Sequence, residues 1–486
     1  MSELYKERFR PQYHLTPPSG PMSDPNGMVY FEGVYHQFYQ FTGRWGHARS
    51  RDLIHWDHLP LALVSDELGD IWSGCCVVDK VDTSGLFGGK AGLVALFTHY
   101  KEGLQSQSLA YSADGGASWT KYAGNPVIPN PGIRDFRDPK VLWHEPSGKW
   151  IMVVSVDKSV HFYSSDNLRA WQYESEFGKA QGSQAAVWEC PDLFCLPIEG
   201  NVTRQKWVLH VSIGDNRETD GSTAQYFIGE FDGRRFTNDD VTGKQILWTD
   251  YGQDFYAAVT YSDLPQEDGR SIWLGWTSNW KYPFAGPTAP WKGGMSIPRT
   301  LTLQEDSEGL ITLCQRPIDE LKRLRTDAFR FTNVALEDGS VKLDYKGASY
   351  ELIADIEWKD ADSFGLRVLC SADGSEAAHI GYDAVTGTVF VDRTFASQNE
   401  FINREGAPFH FGKRFTAPCK GVQNRIMFHA FIDESVIELF LGNGEKVFTV
   451  LVYPQADSQG VELFAHGGAA LFNSVEVYRL KSIWNK

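Results

Sequence analysis

Three short stretches of a 486-residue chain place an acid just ahead of a proline and an apolar run. They are "MSDPNGMVYF" (22–31), "FRDPKVLW" (136–143) and "WECPDLFCLP" (188–197), and their acids are Asp24, Asp138 and Glu189. Carboxylates do chemistry in sets. One that stays ionised can attack an electrophilic carbon, while a second, held protonated, gives its proton to a leaving oxygen. Three in one cavity repel each other, which raises at least one pKa. Singly, each has a plainer reading: Asp24 caps the Asn-Gly turn, Asp138 pairs with Arg137 or Arg134, and Glu189 is a surface acid at a strand end. The shared proline context favours a joint role. Proline at a strand's first residue loses no ladder hydrogen bond and pushes its predecessor toward extended geometry. Each proline is therefore expected to aim a carboxylate out of a strand mouth.

Residues so far apart meet only if a repeated scaffold brings them together. Helical periodicity is scarce. Short runs rich in Val, Ile, Tyr, Phe and Trp alternate with Gly, Pro, Asn and Asp clusters, the pattern of an all-β chain. A weak repeat runs beneath it. "SRDLIHW" (50–56), "SADGGASW" (112–119) and "SSDNLRAW" (164–171) each set Ser, Asp, a turn and Trp in order, and "FDGRRF" (231–236) reads as a decayed fourth copy. Steps of roughly 50–60 residues match one propeller blade. Residues 1–315 are then expected to form about five blades. The interval from Asp24 to Asp138 is about two such units and that from Asp138 to Glu189 about one. "RPIDELKRLR" (316–325) predicts a short linker helix, with Pro317 in its first turn and the linker running over 316–329. Residues 330–486 hold nine further strand-like runs and no acid-before-proline signal, which predicts a β-sandwich with a structural or accessory role.

Composition excludes some partners. A net charge of -16 opposes binding to nucleic acid or an anionic membrane. The aromatic content of 14% suits half-buried strands and also the stacking of rings on sugars. The N-terminal "MSELYKERFRPQYHL" has no signal-peptide pattern, so a cytoplasmic location is expected, or a secreted one if a leader has been removed. Seven cysteines without zinc-like spacing predict neither a disulfide framework nor a metal site, and the mechanism suggested by the acids needs no cofactor.

"MSDPNG", "FRDP" and "WECPDLF", in this order, resemble the signatures of glycoside hydrolase family 32, which holds levanases, exo-inulinases and invertases. "WGHARSRDLIHW", "KYAGNPVIPNPG", "LWTDYGQDFYAAV", "LGWTSNW" and "FIDESVIELF" agree, so the resemblance spans nearly the whole chain. It implies a five-bladed propeller followed by a β-sandwich, acting with retention on terminal β-D-fructofuranosyl units. By the same resemblance Asp24 is the nucleophile, Glu189 the acid/base, and Asp138 the transition-state stabiliser, with Arg137 beside it. Asn26, Gln40, Trp45, Ser73 and Trp276 fall where the family lines its fructosyl subsite. Two departures stand out: Pro21, Met22 and Ser23 replace the family's Trp-Met-Asn, and the loop "QFTGRWGHA" before and around Trp45 is short.

The expected activity is release of fructose from sucrose and inulin- or levan-type fructans. The expected partners are small carbohydrates, with a homo-oligomer left open. Three alternatives stay open: a fructosyltransferase using the same acids, a non-catalytic fructan-binding module, and an inverting arabinan hydrolase on a related propeller.

Overall fold

The computed structural model describes residues 4–396, 399–403, 405–419 and 424–484. Three four-stranded antiparallel sheets and one nine-stranded sheet, in which a single parallel pair (Ile198 with Leu303) joins two further antiparallel groups, form the first domain and read as five blades. Blade I begins with Pro25–Phe31, blade II with Asp70–Asp79, blade III with Phe136–His144, blade IV with Trp188–Ile198 and blade V with Tyr256–Thr260. Each of these innermost strands contacts the next, and the fifth contacts the first, which closes a ring. Asp24, Asp138 and Glu189 thus belong to blades I, III and IV, as their spacing predicted.

The blades pack face to face through strands buried on both sides. Val94, Leu96 and Leu109 of blade II meet Met152 and Val154 of blade III, and Ile151 and Phe162 of blade III meet Leu209 and Val211 of blade IV. Burying each such side chain contributes about 1.5–3 kcal/mol. Among the described residues no strand is shared to lock the ring. It is closed instead by parallel pairing of Gly20–Pro21 with Trp291–Lys292 and by a parallel bridge between Val29 and Ser262.

The Ser-Asp-turn-Trp repeat is the connection between the third and fourth strands of successive blades. Asp52 accepts the amides of Ile54 and His55, Asp114 that of Ser118, and Asp232 those of Arg234 and Arg235. In the third copy Ser165 and Asn167 fill the roles, one residue later than Ser164 and Asp166, because Asn167 accepts from Arg169 and Ala170. The fifth copy is Asp306, which accepts from Glu308 and Leu310 without the flanking Ser and Trp that marked the others.

The expected helix over 316–325 is a 3-10 helix at Asp319–Leu324. Pro317 lies outside it, at the end of strand Ile311–Pro317, which pairs with Arg299–Glu305 in blade V. Beyond it lies the sandwich. Its long strand Gly460–Leu480 pairs with Ser363–Cys370 through its first half and Ser349–Trp358 through its second, joining both parts of the domain in one hydrogen-bonded system. Buried charges fasten the domains. His14 lies 2.7 Å from Asp433 and 3.0 Å from Glu438, Arg299 reaches Glu438 at 2.6 Å, and Arg393 reaches Asp254 at 2.8 Å.

Candidate active site

The inner ends of the five blades share one backbone irregularity. Register slips between Asn26 and Val29, Ile71 and Gly74, Arg137 and Lys140, Glu189 and Asp192, and Tyr256 and Val259. These are β-bulges, which bend a strand and redirect its side chains. In four of them the first extra residue has a positive φ: Gly27 at 53°, Asp138 at 64°, Cys190 at 45° and Ala257 at 55°. At Gly27 a Cβ would sit 2.5 Å from the Phe38 ring, so only glycine fits. Asp138, Cys190 and Ala257 carry the strain of the left-handed region, which costs of order 1–3 kcal/mol and clusters at functional sites.

This alignment corrects the sequence picture of the three acids. Glu189 is equivalent to Arg137, and Asp138 is equivalent to Cys190. Pro139 and Pro191 sit inside the bulges and follow residues of positive φ, so they do not hold an extended acid at a strand's first residue. Bulges are the other place where a strand tolerates proline. Only Pro25 opens its strand.

Side chains at equivalent bulge positions of blades III, IV and V form a row. Arg137 donates to Oε1 of Glu189 from Nε at 3.2 Å and Nη2 at 2.8 Å, and the Tyr256 hydroxyl donates to Oε2. Burial and the Glu189 charge raise the Tyr256 pKa well above 10, keeping the phenol a donor. Arg137 is steadied in turn by Asp135 at 2.6 Å and by Gln105 at 3.2 Å. Arg137 Nε is 3.9 Å from Asp138, so its close partner is Glu189.

Asp138 accepts the Cys190 amide at 3.0 Å, and its own amide donates to Thr98 at 2.9 Å. Burial pushes its carboxyl up to about 6 against the pull of Arg137, with Glu189 adding to the rise. Asp24 is anchored through its carbonyl, which accepts the Gln40 amide at 3.1 Å. Ser73 donates to its Oδ2 at 2.7 Å, while Oδ1 is buried with no hydrogen-bond partner among the described residues. Burial, then the Asp138 charge, lift Asp24 to about 7, against the Ser73 bond. Cys190 bridges the pair, its Sγ 3.6 Å from Asp138 and 4.0 Å from Asp24. All three acids line one open cavity of about 1320 Å³ at the ring axis, together with Gln40, Ser73 and Arg137. Such a set can attack a carbon, move a proton and hold hydroxyl groups.

Residues 14–317 match the family model described as glycosyl hydrolases family 32 N-terminal domain, and residues 320–479 match that family's C-terminal model. The chain belongs to glycosyl hydrolase family 32. This family 32 chain is 45% identical to a levanase of Bacillus subtilis, covering 99% of the chain and 72% of that protein. It is 41% identical to a levanase of Bacillus sp. strain L7, of which it spans 53%. The crystal structure of the exo-inulinase of Aspergillus awamori superposes with a TM-score of 0.90 at 34% identity, over 99% of this chain and 100% of that one.

The remaining residues expected at the family 32 subsite divide. Asn26 is fully buried, with Oδ1 accepting the Gly74 amide at 3.2 Å, and Gln40 donates to the Ile71 carbonyl at 3.2 Å. Trp45 is not on the cavity wall. It is wholly buried between Phe38 and Phe97, with Nε1 donating to the Trp72 carbonyl at 3.0 Å, because its strand turns it into the blade I–II core. Trp276 likewise lies behind the wall, its ring 4.9 Å from Trp280 and 5.8 Å from Phe284, which do face the cavity. Trp72, stacked 4.1 Å from Tyr100, lines the opening in blade II. Sequence reasoning missed Tyr256, Trp72 and Trp280. Tyr256 becomes visible through the register that makes it the blade V counterpart of Glu189.

Proposed function

We propose that this glycosidase is a retaining β-fructosidase that removes terminal β-D-fructofuranosyl units from sucrose and from inulin- or levan-type fructans. The observation that supports it most is the single cavity in which Asp24, Asp138 and Glu189 stand under different hydrogen-bond control. In this reading the Asp24 carboxylate attacks the anomeric carbon as the bond to the leaving oxygen breaks, and Glu189 gives that oxygen its proton. Arg137 and Tyr256 then stabilise the glutamate left behind. Glu189 next takes a proton from water, whose oxygen attacks the fructosyl ester and frees Asp24. Asp138 accepts sugar hydroxyls and offsets positive charge that develops on the ring. The family's levanases and exo-inulinases lend the substrate class.

The test follows products on sucrose and a fructan by NMR. Expected are free fructose appearing first as the β-anomer, and loss of turnover in Glu189→Gln by about 10²–10⁴-fold. The α-anomer first, or unchanged turnover in the variant, would overturn the mechanism. Longer oligosaccharides with little free fructose would replace hydrolysis by transfer.

A further inference from the structure

The cavity is not lined by the propeller alone. Asn403 and Glu405 belong to a hairpin of the second domain, Glu400–Ile402 paired with Pro408–His410, and both reach the cavity wall. The hairpin is seated firmly. Phe409 stacks on Tyr282 of the propeller at 5.3 Å with the rings 8° apart. Lys413, just past it, reaches Asp220 at 3.0 Å, and Asp220 is itself on the cavity and held from the other side by Lys281. The Asn403 side-chain Oδ1 accepts the amides of Glu405 at 3.0 Å and Ala407 at 2.8 Å, which shapes the turn that presents Glu405.

Glu405 lies near Asp215 of blade IV, whose carboxyl it helps to raise, whereas the main charges felt by Asp24 and Asp138 are their own neighbours. The second domain therefore meets the cavity wall beside blade IV. There the wall also holds Arg217, which has no side-chain hydrogen bond or ion pair among the described residues, and the half-buried ring of Trp280. A carboxylate and a guanidinium suit vicinal hydroxyls, and an indole offers an apolar face to a sugar ring. The cavity volume of about 1320 Å³ exceeds the ~300–1,000 Å³ of an ordinary small-molecule pocket, leaving room for further rings.

We propose that Glu405, carried by the second domain, joins Arg217 and Trp280 of the propeller in a subsite for sugar rings beyond the second, and so sets a preference for oligomeric substrates. This rests on the β-fructosidase reading above. The test uses full-length wild type, Glu405→Ala and Arg217→Ala. It measures kcat/KM on sucrose and on inulin-type and levan-type tetrasaccharides. Expected is a fall of about fivefold in the ratio of tetrasaccharide to sucrose for at least one linkage, carried by KM. A variant that folds poorly lowers both numbers and leaves the ratio unmoved. Unchanged ratios for both linkages, with wild type active, would overturn the subsite alone. A wild type that hydrolyses none of the three would overturn the fructosidase reading, and this inference with it.

Discussion

Removing the Ser73 hydroxyl should move the acid limb of the pH profile upward. In the proposed mechanism Asp24 must be ionised to attack, so activity is lost as pH falls through its pKa. Burial and Asp138 already place that value at about 7, and the 2.7 Å bond from Ser73 is the principal side-chain donor working against them. A hydrogen bond to a charged group contributes about 1.5–3 kcal/mol, and ~1.36 kcal/mol corresponds to one pKa unit. With water partly replacing the hydroxyl, Ser73→Ala should lift Asp24 by about one unit. At pH 7 the ionised fraction would fall from about a half to about a tenth. Initial rates of kcat/KM on sucrose from about pH 5 to about pH 9 would then show a roughly fivefold loss at neutrality that recovers in alkali. A uniform loss at every pH would refute the reasoning, since it would mean that Ser73 holds substrate rather than the nucleophile's charge. An unmoved limb at the ordinary carboxylate value of ~4 would refute the repulsion on which it stands.

Asp24→Asn should abolish turnover while raising the thermal midpoint at neutral pH. A carboxyl whose folded value is raised destabilises the fold as pH climbs from the ordinary range of ~4 toward about 7, and the amide does not ionise. A lowered midpoint measured by calorimetry would point instead to a turn-capping role. Tyr256→Phe removes the hydroxyl that donates to Oε2 of Glu189. It should cut kcat about tenfold; an unchanged kcat would exclude Tyr256 from the proposed proton transfer. His14 is held up at about 9 by Asp433 and Glu438, although burial alone would lower it. Its contribution to stability is complete below about 6.5 and is lost as pH rises through about 9. Midpoints across that window should fall more steeply in wild type than in His14→Gln, and parallel curves would show that another group fastens the domains.

Much of this could be read in the sequence because propeller turns and acids set beside prolines leave local marks. The Asp52, Asp114 and Asp232 turns were visible since each satisfies neighbouring amides within a few residues. Asp306 does the same work, but its blade lacks the flanking Ser and Trp. The bulges escaped notice because register is a relation between two strands. No feature of "FRDP" or "WECP" alone tells that Arg137 and Glu189 are equivalent. Trp45 and Trp276 mislead for a similar reason: a large ring at the mouth of a blade can face the cavity or the adjoining blade, and the strand's twist decides. Glu405 was invisible because its domain shows no acid-before-proline signal, and it is the stack of Phe409 on Tyr282 with the Lys413–Asp220 ion pair that carries the hairpin to the cavity.

The join that closes the circle has a consequence for how this enzyme fails. Asp24 lies in the short span between Pro21, which pairs with Lys292, and Val29, which bridges to Ser262. A loosening confined to that seam would displace Asp24, the proposed nucleophile, while leaving the pairing within the remaining blades in place. Heat or denaturant sufficient to part it would silence the enzyme while most of the molecule still stands, making turnover a more sensitive gauge of the seam than any bulk signal of unfolding.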